Sequence, residues 1–120
     1  MPHVVMIEED ALVRKLLEER LLHAGWAVTA LRNAHDLMAV LESAPPVDLI
    51  MLDLAPPSLT GLATIEDVRR HGIHTPILVL TTFEPPHLHA IVTSTGGTDL
   101  VRKPYDQEQL IERMQRLVAA

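Results

Sequence analysis

The sequence predicts a doubly wound α/β domain: a five-stranded parallel sheet with helices on both faces. Apolar runs alternate with segments of helical period along the whole of the 120 residues. Three of those runs are apolar at successive positions rather than at alternate ones, the pattern of strands covered on both faces. Five such strand and helix units fit one domain, residues 1–120, large enough to bury a single core without disulfides.

The elements follow in order. His3-Val4-Val5-Met6-Ile7 is the first strand, and three adjacent acids, Glu8, Glu9 and Asp10, end it. Leu12, Leu16, Leu17 and Leu21 then recur at helical spacing, and Gly25 stands where that helix should stop. Ala27-Val28-Thr29-Ala30-Leu31 is the second strand, and Asn33 is placed to cap the second helix. Leu49-Ile50-Met51-Leu52 runs directly into Asp53, and Gly72 closes the third helix. Ile77-Leu78-Val79-Leu80 leads to Thr81-Thr82, and the weaker Leu100-Val101 leads to Arg102-Lys103-Pro104. Asp106 with Gln109 resembles a capping box for a last helix whose apolar positions are Leu110, Ile111, Met114, Leu117 and Val118. The proline pairs Pro45-Pro46, Pro56-Pro57 and Pro85-Pro86 fall at joints, where a missing N–H does least harm.

Composition removes several function classes. A formal net charge of −6 gives no electrostatic reason for direct nucleic-acid contact. The absence of cysteine excludes thiolate catalysis and cysteine-ligated zinc. No apolar run approaches a membrane span, and Met1 leads straight into a strand, so a soluble, cytoplasmic protein is expected. The histidines His3, His23, His35, His71, His74, His87 and His89 read as scattered surface residues. Val118-Ala119-Ala120 closes the last helix with no effector after it, which fits a stand-alone domain or one cut from a longer regulator.

Doubly wound sheets bind ligands outside the carboxyl ends of their strands. That edge collects Glu8, Glu9 and Asp10 from the first strand, Asp53 from the third, Thr81 from the fourth and Lys103 from the fifth. An ionisable group completing a run of four apolar residues, as Asp53 does, needs a partner. On these residues alone, a turn residue and a functional carboxylate stand about level.

The ordered landmarks Glu8-Glu9, "DLIMLDLAPPSLTGL" around Asp53 with Gly61 eight residues on, "PILVLTT", "TGGTDL" and "RKPY" resemble the receiver domain of two-component response regulators. The resemblance implies the flavodoxin-like strand order 2-1-3-4-5. It implies a signalling domain rather than an enzyme proper, in which Asp53 accepts a phosphoryl group from a sensor histidine kinase or phosphotransfer protein. Mg²⁺ would be held by Glu8, Glu9, Asp53 and the backbone carbonyl of Ala55. Lys103 and the Thr81 hydroxyl would contact the phosphoryl group, and the Lys103-Pro104 peptide would be cis. Homodimers through the later helices are a family habit that these residues leave open.

Four positions depart from the family pattern. The acidic pair is usually aspartate-rich, and each glutamate adds about 1.5 Å of reach at an ion that demands close octahedral oxygens. Thr82 is bulkier than the usual alanine or glycine and narrows access. Leu100 replaces a common aromatic and reads as a core leucine. Phe83 either shields the phosphoryl group or packs on a helix, and packing is the expectation. The alternative that these departures motivate is a degenerate receiver, which takes no phosphate and acts through protein contacts. A haloacid-dehalogenase-type hydrolase would need an acid where Ala55 stands, and a flavodoxin would need a hydroxyl-rich loop where the acids stand.

Overall fold

A computed structural model describes residues 1–43, 46–54, 60–82 and 96–119, with positions 90 and 94. Ala55, Phe83, His87 and His89 lie outside the described residues, as do Pro45 and the other two proline pairs.

Strands β1 (His3–Ile7), β2 (Ala27–Leu31), β3 (Leu49–Leu54), β4 (Ile77–Thr81) and β5 (Thr98–Arg102) form one parallel sheet in the order β2-β1-β3-β4-β5. This is the order that the resemblance implies. Every residue of β4 is buried, as is nearly all of β1, whereas β2 and much of β5 are half-buried because they are the edges. Edge position explains the weak β5 signal: only Leu100-Val101 is apolar, and Thr98, Asp99 and Arg102 complete the strand.

Alternation along the strands builds two cores. Val4, Met6, Leu49, Met51, Leu78, Leu80 and Val101 pack on one face, with Leu17 and Leu21 of α1 (Ala11–His23) and Leu110 and Met114 of the C-terminal helix (Gln107–Ala119). Val5, Ile50, Leu52, Ile77 and Val79 pack on the other, with Leu37 of α2 (Leu37–Glu42) and Leu62, Ile65 and Val68 of α3 (Thr60–Arg70). Burying these side chains supplies the driving force for folding.

Three local expectations need correction. The leucine series on α1 is not one stripe: Leu17 and Leu21 are buried, while Leu12 and Leu16 are 67% and 46% exposed. At about 100° per residue, Leu12 stands roughly 140° round the helix from Leu17. Asn33 caps a short 3₁₀ turn, Ala34–Asp36, that feeds α2, accepting from the His35 N–H at 2.9 Å. His3 is no surface histidine: it is buried, with Nδ1 3.1 Å from the Pro46 carbonyl and Nε2 2.8 Å from Thr29 Oγ1.

Helix ends match their sequence signals. Asp10 Oδ1 accepts from the N–H groups of Leu12 and Val13, both at 2.9 Å, and Asp106 Oδ1 accepts from Gln109 N at 2.7 Å. Gly25 follows α1 with φ +95°, a backbone that favours glycine. Loss of the first cap has a readable consequence: Asp10→Ala should lower unfolding free energy by about 1 kcal/mol in urea titrations, and Asp10→Asn should restore most of it.

Candidate functional site

The sheet register assembles the site. Ile7 pairs with Leu52, and the Glu8 N–H continues the ladder to the Leu31 carbonyl at 3.0 Å, so Glu8 sits level with Asp53, which itself pairs with Leu80. Alternate residues return to the same face. Met6 and Met51 share the face of α1 and the C-terminal helix, so Glu8 and Asp53, two residues on from each, share it too. Lys103 stands two beyond Val101 of that same face.

Three charged side chains meet there. Lys103 Nζ forms an ion pair with Asp53 Oδ2, whose side chain is only 4% exposed. The Glu8 carboxyl hydrogen-bonds Asp53, and Glu8 Oε1 accepts from the Asp10 N–H at 3.1 Å. Burial, the hydrogen bond to Asp53 and the negative charge of Asp53 push the Glu8 pKa up to about 7; the Asp10 N–H and Lys103 oppose the shift.

The backbone holds these groups in place. The Lys103 N–H donates to the Thr81 carbonyl at 2.8 Å, Thr81 is buried, and the Lys103-Pro104 peptide is cis, as the resemblance implies. Leu100 packs with the core on the α2 and α3 face, and Thr82 is exposed. Glu9 is exposed and is not brought to Asp53, and Ala55 lies outside the described residues. Two residues escaped the sequence reading. Tyr105 is half-buried beside the site, its hydroxyl pKa raised by burial and by the charges of Asp53 and Glu8, with Arg20 opposing. Arg14 Nη1 donates to the carbonyls of Glu8 and Glu9 at 2.9 and 3.3 Å. Neither contact has a sequence signal, since both depend on chain folding back past a turn.

Among the described residues no group of three or more His, Asp or Glu is arranged to hold a metal ion. Two carboxylates in contact, Glu8 and Asp53, nevertheless suit Mg²⁺, which commonly takes one or two carboxylates and completes its shell with water and phosphate oxygens. The residues present fit the ion.

Comparison with known proteins agrees with this architecture. The family model described as response regulator receiver domain matches residues 4–115. The virulence transcriptional regulatory protein PhoP of Salmonella choleraesuis is 35% identical over 98% of this chain and 52% of that protein. The transcriptional regulatory protein PhoP of Escherichia coli is 34% identical over 96% of this chain and 51% of its own length. The chain thus spans about half the length of these relatives. Among solved structures, the Vibrio cholerae chemotaxis protein CheY4 superposes with a TM-score of 0.83 at 28% identity, covering 98% of each chain. The receiver domain of Francisella response regulator 1452 has the same TM-score at 21% identity, which speaks for the fold alone.

The Glu8 shift fixes a pH dependence. A carboxyl whose folded pKa is raised contributes stability that is full below its unfolded pKa, near 4.5, and is lost as pH rises through about 7. In metal-free buffer, Glu8→Gln should gain on the wild type by about 5 °C or more in melting temperature between pH 5 and pH 8, followed by the fluorescence of buried Trp26.

Proposed function

This chain belongs to the response regulator receiver domains of two-component systems, and from that premise we propose that Asp53 accepts a phosphoryl group from a sensor histidine kinase or phosphotransfer protein in the cytoplasm. The observation that carries the proposal is the Lys103 ammonium lodged on a nearly buried Asp53 carboxylate at the carboxyl edge of the sheet.

An Asp53 Oδ attacks the phosphorus of a phosphohistidine; the O–P bond forms as the N–P bond breaks, and the bonding pair leaves with the imidazole. Lys103, already on Oδ2, needs only a short movement to meet a phosphoryl oxygen, where a fixed positive charge is worth most in a site shielded from water. Thr81 fixes the Lys103 backbone through its carbonyl, and its hydroxyl is the proposed further donor to the phosphoryl group. Mg²⁺, when bound, neutralises phosphoryl oxygens; Glu8 and Asp53 are the side chains that would hold it, with the Ala55 carbonyl as a further ligand. The family role is signalling, and any hydrolysis of the acyl phosphate is a self-limiting side of that role.

Leu12, Val13 and Leu16 expose apolar surface on the first turns of α1, close behind the acidic turn. Leu16 also lines a groove of about 280 Å³ with Glu19, Arg20, His23 and Gln107. This surface is where the donor protein would dock, since apolar area with a charged rim is the usual makeup of such a face.

Acetyl phosphate with Mg²⁺ should add one phosphoryl group by intact mass. Asp53→Asn should abolish the gain, and Lys103→Ala should slow it by about 10²-fold. Absence of any gain at millimolar donor would favour the phosphate-independent receiver. Leu16→Asp should slow transfer from a phosphohistidine protein by about tenfold or more and leave acetyl phosphate labelling unchanged.

A further inference from the structure

We infer that Arg69 is a positioning residue: from the amino edge of the sheet it sets the register of β5 against β4, and so fixes where Lys103 stands beside Asp53. Its part in the chemistry rests on the transfer proposed above, in which Lys103 meets the phosphoryl group.

β5 is poorly registered by its own side chains. It has one neighbour, β4, and of its five residues only Val101 is buried. Leu100 and Val101 are its apolar pair, and Gly96-Gly97, both at positive φ, lead into it. Glycine-rich strands with so little apolar pattern are prone to slip. A slip matters here because Lys103 rides on the end of the strand: one residue turns its side chain to the other face, and two move it by about 6.6 Å along the sheet. Either displacement breaks the ion pair with Asp53.

The Arg69 guanidinium supplies the missing reference. Its Nη1 donates to the carbonyls of Ile73 and Thr75, at 2.9 and 2.8 Å, on the chain entering β4. Its Nη2 donates to the carbonyls of Gly96 and Gly97, at 3.2 and 3.4 Å, and to Thr98 Oγ1 at 3.3 Å, where the chain enters β5. One planar fork thus spans both strand entrances, and its rigid geometry favours a single offset between them. The ladder carries that offset forward, from Ile77 opposite Thr98 to Thr81 opposite Arg102, and on to the Lys103 N–H at 2.8 Å from the Thr81 carbonyl. Arg113 also grips β5, through Asp99 Oδ2 at 2.9 Å, but it stands on the helix that follows β5 in the chain. It travels with the strand; Arg69, on α3, does not. The Arg69 Nε is buried and, among the described residues, has no hydrogen-bond partner. Leaving a buried N–H unmet is costly, so the placement of this side chain answers to its terminal N–H groups and the two strands they join.

The test compares the wild type with Arg69→Met, which keeps an apolar stem and removes the fork, and with the milder Arg69→Lys, each under conditions where circular dichroism shows it folded. Without any phosphodonor, the NMR signals of Lys103 Cε and Nζ should shift in Arg69→Met toward their positions in Asp53→Ala, and by less in Arg69→Lys. Labelling by acetyl phosphate with Mg²⁺ should slow by about tenfold or more in Arg69→Met. The same change made in Lys103→Ala should slow it by less than about twofold, because an effect that passes through Lys103 vanishes with it. A residue that merely stabilised the fold would leave the Lys103 signals in place and slow both backgrounds equally. Unmoved Lys103 signals in a folded Arg69→Met, or equal slowing in the two backgrounds, overturn the inference and leave the transfer standing. A wild type that takes no phosphoryl group overturns the transfer, and the Lys103 signals then decide the register role by themselves. If Arg69→Met does not fold, Arg69→Lys carries both measurements, since one compact ammonium cannot bridge both entrances.

Discussion

Two carboxyl groups, Glu8 and Asp53, are forced side by side by the parallel register of β1 and β3, and the carboxyl edge of the sheet is organised around that fact. Neither backbone can retreat: the Glu8 N–H is bonded to β2, and Asp53 lies within β3 between two neighbouring strands. Like charges held in contact and out of water must be compensated. Compensation comes from the Lys103 ammonium on Asp53, from the Asp10 N–H on Glu8, and from a proton on Glu8 below about pH 7. Lys103 can serve because its own backbone is tied to the Thr81 carbonyl of β4.

The opposite edge of the sheet is satisfied in another way. Arg69, at the end of α3, donates to the carbonyls of Ile73, Thr75 and Gly96 at 2.9, 2.8 and 3.2 Å, joining the starts of β4 and β5. His3 ties β1 to β2 through Thr29 and to the chain entering β3 through Pro46, while its N–H donates to Asp48 Oδ2 at 2.8 Å. Among the described residues Arg69 meets backbone and hydroxyl oxygens, and the His3 ring does likewise, so these contacts close loops. The Lys103–Asp53 ion pair and the neighbouring Glu8 carboxyl lie on the carboxyl edge, where a sheet of this winding binds ligands.

Much of this was readable from the residues. The strands β1, β3 and β4 are legible because both faces are covered, which makes them apolar at successive positions; β5 shows only two such residues because its edge tolerates Thr98, Asp99 and Arg102. Asp53 and Lys103 are legible because each interrupts or follows a strand at the edge where ligands bind. The split between Glu8 and Glu9 was available in the period of two but hidden by treating the acids as one motif. Arg14, Tyr105 and the burial of His3 were not legible, since each depends on distances across a turn or between strands that spacing alone does not set. The α1 leucines misled for a related reason: helical spacing shows that a face exists without showing which residues of it the sheet covers.

Glutamate in place of aspartate bears on the charge balance of the edge. With Glu8 protonated, the charges of Asp53 and Lys103 cancel; with Glu8 ionised, the three groups carry one net negative charge. The phosphoryl group of the proposed transfer would add negative charge in either state, so further positive charge would have to be supplied or the proton kept. The added methylene lengthens the Glu8 side chain by about 1.5 Å, against a strand gap of roughly 4.8 Å. The same flexible length lets the carboxylate withdraw while the backbone stays fixed by Leu31 and Arg14. Glutamate therefore alters the reach and the protonation of one carboxyl at this edge, while the backbone position that presents it is set by the sheet.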